Sequence, residues 1–181
     1  YGKLEVGTRT TEIAEHHWKP GGTMIGVSGR WSSRVMGQGS DYLGRWSWVD
    51  MRGKGDKVIR IYSTYRVSQA KVEHAGVLTA CQQQYRALVK AKHKVLSPKQ
   101  AFLADLEHEL LLWEKSVKHE TIVMLDSNET LAEGKHFKTF KDNVHLEDAM
   151  ESLNPSLLQD PTYLWGKRRI DYILISKGIL G

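Results

Sequence analysis

One cysteine, Cys81, stands among 181 residues, which excludes both an internal disulfide and a cysteine-rich zinc centre. A reducing compartment, nuclear or cytoplasmic, is therefore the expectation. Long apolar runs are also missing. The longest, residues 121 to 125 and 170 to 175, are strand-sized against the roughly 20 residues that cross a bilayer, so no membrane partner is expected. The 8 histidines include no His-Glu-x-x-His spacing, and the stretch Gly53, Lys54, Gly55, Asp56 lacks the spacing of a phosphate-binding loop. Neither sign of charge forms a dense run. Lys and Arg number 26 against 21 Asp and Glu, a net charge of +5 that is compatible with a polyanionic partner but too mild to be a dedicated nucleic-acid arm.

What is present is globular: 40% hydrophobic and 26% charged residues, in a length that suits a single compact domain over 1–181. The chain starts at Tyr1 and is expected to be cut from something longer. Residues 22 to 28 alternate small and branched side chains after a Pro20-Gly21 turn signal and read as a strand. Residues 43 to 52 and 57 to 65 read as a hairpin, with turn chemistry at 53 to 56. Trp46 and Trp48, two apart, share one face and are assigned to packing. Leu78, Cys81, Tyr85, Leu88 and Val89 mark a helical face. Ser97, Pro98 and Gln100 form a capping box before a second helix that runs through Phe102, Leu106, Leu110, Trp113 and Val117. Residues 121 to 125 are continuously apolar, the mark of a strand buried on both faces. Phe137, Phe140 and Val144 suggest a short helix, and residues 169 to 176 form a last strand, apolar except for Asp171. Strands and helices intermingle, so a mixed-sheet α/β sandwich is the economical architecture.

Asp126 and Asn128 follow the most apolar strand. Two apart at a strand end, a carboxylate and an amide point the same way, so one can take a proton while the other holds an anionic oxygen. Asp-x-Asn is equally ordinary turn chemistry. Asp171, set among Ile170, Tyr172, Ile173 and Leu174, must be paired or hydrogen-bonded. It is either the salt-bridge partner of Arg168 or Arg169 or a carboxylate that orients an imidazole. Lys167, Arg168 and Arg169 precede it and are either phosphate contacts or a solvated charge cluster.

In chain order the motifs are Gly21, Gly22, Thr23 and Ile25; residues 61 to 66, Ile-Tyr-Ser-Thr-Tyr-Arg; residues 125 to 129, Leu-Asp-Ser-Asn-Glu; residues 161 to 163, Pro-Thr-Tyr; and residues 169 to 176, Arg-Ile-Asp-Tyr-Ile-Leu-Ile-Ser. Over about residues 20 to 176 this order resembles the endonuclease/exonuclease/phosphatase superfamily, the DNase I-like phosphoesterases, in a pattern similar to the endonuclease domains of retroelements. The resemblance implies a four-layer α/β sandwich of two mixed sheets with outer helices, present here in part. It implies hydrolysis of a DNA phosphodiester by in-line attack of water with Mg²⁺ or Mn²⁺ in the complete domain. It further implies that Asp126 orients or deprotonates that water, that Asn128 and Tyr65 contact the scissile phosphate, and that Asp171 hydrogen-bonds a catalytic His. The alternatives are a small-molecule or phospholipid phosphatase of the same superfamily, and a nucleic-acid-binding remnant without catalysis.

The sequence also departs from the family pattern. Leu125 stands where Gly usually precedes the Asp, and residues 65 to 68, Tyr-Arg-Val-Ser, replace the commoner Tyr-x-Pro-Asn. The family's first-strand Asn, its metal-binding Glu and its closing Asp-His pair are expected outside residues 1–181. The 181 residues alone are accordingly expected to show no Mg²⁺-dependent nuclease activity and to aggregate.

Overall fold

The structure, a computed structural model, describes residues 4–8, 21–68, 71–115, 119–157, 160–163 and 165–180. Its strands are β1 (Leu4–Thr8), β2 (Thr23–Val27), β3 (Val35–Ser40), β4 (Trp46–Arg52), β5 (Val58–Tyr65), β6 (His119–Asp126), β7 (Glu147–Asp148) and β8 (Asp171–Ile175). Its helices are α1 (Ala80–Lys90), α2 (Pro98–Glu114), α3 (Lys135–Asn143), α4 (Ala149–Leu153) and α5 (Lys177–Leu180). None of the described helices is long and apolar enough to cross a membrane.

Six strands form one mixed sheet in the order β3-β4-β5-β6-β8-β7. The β5–β6 pair is parallel and the others are antiparallel, including the expected β4–β5 hairpin. The parallel pair needs a crossover, which α1 and α2 supply. Gly39 lies opposite Trp48 in the β3–β4 register, and a Cβ there would come within 2.5 Å of the indole, so only glycine leaves room for the ring. β1 pairs with β2 as a separate two-stranded antiparallel sheet.

One face of the large sheet carries the core. Trp46, Tyr62, Val123, Leu125, Tyr172 and Leu174 project from alternate positions on four strands and meet Phe102, Leu106 and Leu110 of α2 and Phe137 and Phe140 of α3. Trp46 meets Phe102 edge-on at 5.9 Å, and Phe137 meets Tyr172 edge-on at 5.1 Å. Trp48 packs beside them under the Arg60 guanidinium, which lies 3.6 Å from its ring centre and 3.4 Å from that of Trp113. Two ion-pair networks brace this layer. Arg60 donates to Asp50 at 2.6 and 2.8 Å, and Arg45 donates to Asp41 and to Asp105 of α2 at 2.7 Å each.

The opposite face is only partly covered, which corrects the expectation for residues 121 to 125. Thr121, Val123 and Leu125 are buried, whereas Ile122 is half-buried and Met124 exposed. The reason is the size of the second layer. The β1–β2 sheet lies against β3, β4 and β5, where Ile25 and Val27 meet Val49, Met51 and Ile61, and it stops short of β6 and β8. The described residues thus form three layers, helices, six-stranded sheet and two-stranded sheet, against the four that the resemblance implies. The expected capping box is also different: Ser97 makes no side-chain cap bond, and its carbonyl accepts from Gln100 and Ala101 instead. Val117 lies outside the described residues.

Candidate functional site

Tyr65, Asp126 and Asp171 occupy one line of register across three adjacent strands. Tyr65 of β5 is level with Asp126 of β6, and Asp126 is level with Asp171 of β8. Residues at the same level of neighbouring strands share a face, and here it is the face turned away from α2 and α3. Two carboxylates and a phenol therefore stand side by side at one end of the sheet. The two aspartates line a cavity of about 620 Å³ whose walls also include Ser63, Met124, Asn154, Thr162, Arg169 and Ile173.

The electrostatics follow from this alignment. Partial burial pushes the Asp126 carboxyl above its ordinary value, the Asp171 charge across the strand adds to the rise, and the Asn128 N–H opposes it. Burial likewise raises the Tyr65 phenol, with Asp126 contributing. Asp171 is exposed, which corrects the expectation that it needs a partner inside an apolar strand. It is the first residue of β8 and lies on the open face, so solvent reaches it. Neither neighbouring arginine pairs with it. Arg169 donates bidentately to the buried Asp148 at 2.6 and 2.7 Å, and Arg168 donates to Glu133 at 3.0 Å. Lys167 and Arg168 are exposed, while Arg169 is bound into the scaffold.

Asn128 reaches its place through a turn. Its N–H donates to Asp126 Oδ1 at 3.2 Å, and its φ of +50° lies in the left-handed region that asparagine tolerates better than most residues. Its Nδ2 donates to the Arg66 carbonyl at 2.7 Å, which leaves its Oδ1 and second amide hydrogen for other work. Ser127 is fully buried and donates its N–H to the Ile170 carbonyl at 2.9 Å, joining the end of β6 to the start of β8.

Arg66 holds the whole turn. Its side chain, 2% exposed, donates to the Lys99 carbonyl at 2.9 Å and to Glu129 at 2.5 Å. Its backbone N–H donates to the Asp126 carbonyl at 2.9 Å, so side chain and main chain grip residues 126 to 129 from both sides. Burial lowers the Arg66 pKa despite the Glu129 carboxylate, and the guanidinium stays charged. Lys99 of α2 completes the group, 3.8 Å from Glu129, and burial lowers its pKa. Thr162 accepts at Oγ1 from the Ile170 and Asp171 N–H groups at 3.1 and 3.2 Å. Sequence reasoning gave no role to Arg66, Glu129, Lys99 or Thr162. Nothing local marked them, since residue 66 falls on the unspecified position of the Tyr-x-Pro-Asn pattern.

The donor set near Asp126 consists of hard oxygens, which suit Mg²⁺ or Mn²⁺ in type. Among the described residues, however, no group of three or more His, Cys, Asp or Glu converges as a metal centre. These residues alone do not fit a closed metal site.

No family model and no curated protein matches the chain. Solved structures do. The human Nocturnin catalytic domain, determined with a bound sulfate anion, aligns over 97% of this chain and 61% of its own at 16% identity and a TM-score of 0.61. The beta toxin of Staphylococcus aureus aligns over 91% of this chain and 56% of its own at 13% identity and a TM-score of 0.51. The chain thus spans about three-fifths of the length of these structures. With the mixed sheet and its helix layer, this likeness shows that the chain has the DNase I-like α/β fold of these structures.

Proposed function

We propose that this chain forms the part of a metal-dependent phosphodiesterase domain that carries the water-activating carboxylate, and that its substrate is DNA. The observation that supports this reading is the shared line of Tyr65, Asp126 and Asp171, whose two aspartates line a cavity. Asp126 accepts the proton of the attacking water. Its raised pKa makes it a stronger base than an ordinary carboxylate. Asn128 and the Tyr65 hydroxyl donate to the phosphate oxygens, and Asp171 keeps Asp126 basic and orients an imidazole supplied from outside the described residues. A Mg²⁺ or Mn²⁺ would supply charge neutralisation at the phosphate, and residues outside the described ones would hold it.

The cavity wall of Met124, Met150, Leu153 and Ile173 favours a second reading, a phospholipid phosphodiester as substrate. One experiment separates the readings. The longest natural chain that contains these residues is incubated with Mg²⁺ and, in parallel, a DNA duplex, a DNA single strand, sphingomyelin vesicles and a phosphomonoester. Chelator-sensitive cleavage of DNA is expected. Turnover of the vesicles alone establishes the lipid reading, and release of phosphate from the monoester alone overturns both.

A further inference from the structure

We propose that the open face of the large sheet carries a second ligand site, apart from the aspartates, and that its ligand is a long-chain fatty carboxylate. A cavity of about 620 Å³ lies beside β2, within the range of about 300–1,000 Å³ that small-molecule sites occupy. The large sheet contributes Val49, Met51, Ile59, Ile61, Ile122 and Met124 to it, and β2 contributes Ile25 and Val27. This is the strip that the β1–β2 sheet leaves open. No carboxylate lines it, in contrast to the cavity of Asp126 and Asp171.

The cations gather at one end. Arg52 is opposite Val58 in the β4–β5 register, and Lys54 follows it in the hairpin turn. Arg34 reaches the same end, since its guanidinium donates to the Arg52 carbonyl at 3.4 Å. All three line the cavity and are exposed, and none pairs with a carboxylate among the described residues. Trp31 also lines the cavity, and the Arg34 guanidinium lies 5.4 Å from its ring centre. Arg34 is thus placed by a ring and a carbonyl, which leaves its charge for a ligand.

The other end is apolar. Met124 is opposite Ser63, five residues along β5 from Val58, a distance of about 17 Å. A carbon–carbon bond of about 1.5 Å advances an extended alkyl chain by roughly 1.3 Å, so about a dozen carbons reach from the cations to Met124. A single-chain amphiphile with one anionic head satisfies both ends: guanidinium groups donate to its carboxylate, and its tail displaces water from the branched side chains. A nucleic-acid strand needs cations along its length and does not suit an apolar floor. Asp126 is level with Tyr65, seven residues or about 23 Å along β5 from Val58. The head therefore stands far from the candidate reacting centre, and the site is independent of the phosphodiesterase reading.

The test is calorimetric titration of the longest natural chain that contains these residues. The probes are the fatty carboxylates from octanoate to hexadecanoate below their micelle concentrations, dodecanol, and phosphatidylserine vesicles. Affinity is expected to rise about three- to fourfold per methylene as far as dodecanoate and to level off beyond it, at one ligand per chain. Arg34→Ala with Lys54→Ala should weaken dodecanoate binding about tenfold or more and leave dodecanol unchanged. Met124→Glu, at an exposed position, should weaken dodecanoate about tenfold and spare octanoate, whose shorter tail does not reach it. Affinity that keeps rising with chain length, equal binding of carboxylate and alcohol, or binding to vesicles with none to the free carboxylates overturns the proposal. So does a natural chain that binds no probe, its own further residues then filling the cavity. No turnover is read, so failure of this binding leaves the phosphodiesterase reading intact, and a chain that binds dodecanoate but cleaves no phosphodiester refutes that reading alone.

Discussion

Replacing Arg66 by Met keeps the length of the side chain and removes its charge and donors. The variant loses the bonds to Lys99 O and Glu129 Oε2 and leaves Glu129, 24% exposed, with only Lys99 at 3.8 Å. Removing one partner of a buried ion pair costs about 3–5 kcal/mol, because the other charge stays desolvated. The partial exposure of Glu129 and its residual contact with Lys99 put the expected loss near the lower end, about 3 kcal/mol. For a domain of this size that corresponds to a fall in Tm of about 6–12 °C. Arg66→Met combined with Glu129→Met removes both charges, and it should recover most of the stability, since an apolar pair of similar volume needs no desolvation. Urea unfolding of the four proteins in a double-mutant cycle measures the coupling directly. A single-variant loss below about 1 kcal/mol, or a double variant as unstable as the sum of the singles, refutes the assignment of Arg66 as the residue that holds the turn.

Other consequences follow from the same geometry. Asp126 binds its proton more tightly folded than unfolded, so its contribution to stability is greatest below the ordinary carboxylate range and falls as pH rises through the raised value. Asp171→Asn should move the Asp126 carboxyl back towards its ordinary value and flatten that fall above the ordinary carboxylate range, read by carboxyl-carbon NMR and by urea unfolding; an unmoved titration contradicts the pairing across β6 and β8. Arg169→Ala should cost about 3–5 kcal/mol because it strands the buried Asp148, whereas Arg168→Ala should cost at most about 1 kcal/mol. Equal losses by chemical denaturation would return the two arginines to a common role. Asn128→Ala should lower the rate of phosphodiester hydrolysis about 10²- to 10³-fold if its amide holds phosphate charge, and unchanged turnover leaves it as a turn residue.

The sheet was legible where periodicity had a single cause. The β4–β5 hairpin and α2 declare themselves because Trp46, Trp48, Phe102 and Leu106 all serve one core. Residues 121 to 125 misled, because an unbroken apolar run looks the same whether its second face is packed or open. That difference is set by how far the β1–β2 sheet extends, which no local pattern records. β1 was not visible at all, since its pairing with β2 is the only thing that makes those residues a strand. At the candidate site, Asp126, Asn128, Tyr65 and Asp171 were named by type and order, and the structure places Tyr65, Asp126 and Asp171 in one line. The supporting residues were not found. Arg66 and Glu129 are 63 positions apart, and Arg169 sits within reach of Asp171 in sequence yet pairs with Asp148 in space. Long-range polar partners carry no periodic signal.

The phosphodiesterase reading stands or falls on Asp126. The measurement is the rate of Mg²⁺-dependent cleavage of a DNA phosphodiester by the longest natural chain that contains these residues, compared with Asp126→Asn of the same chain. Circular dichroism and Tm serve as controls for the fold. The amide keeps the shape of the carboxylate and cannot accept the proton of water, so the account predicts a folded protein whose cleavage is lost. A folded Asp126→Asn protein that cleaves at the parent rate would contradict it.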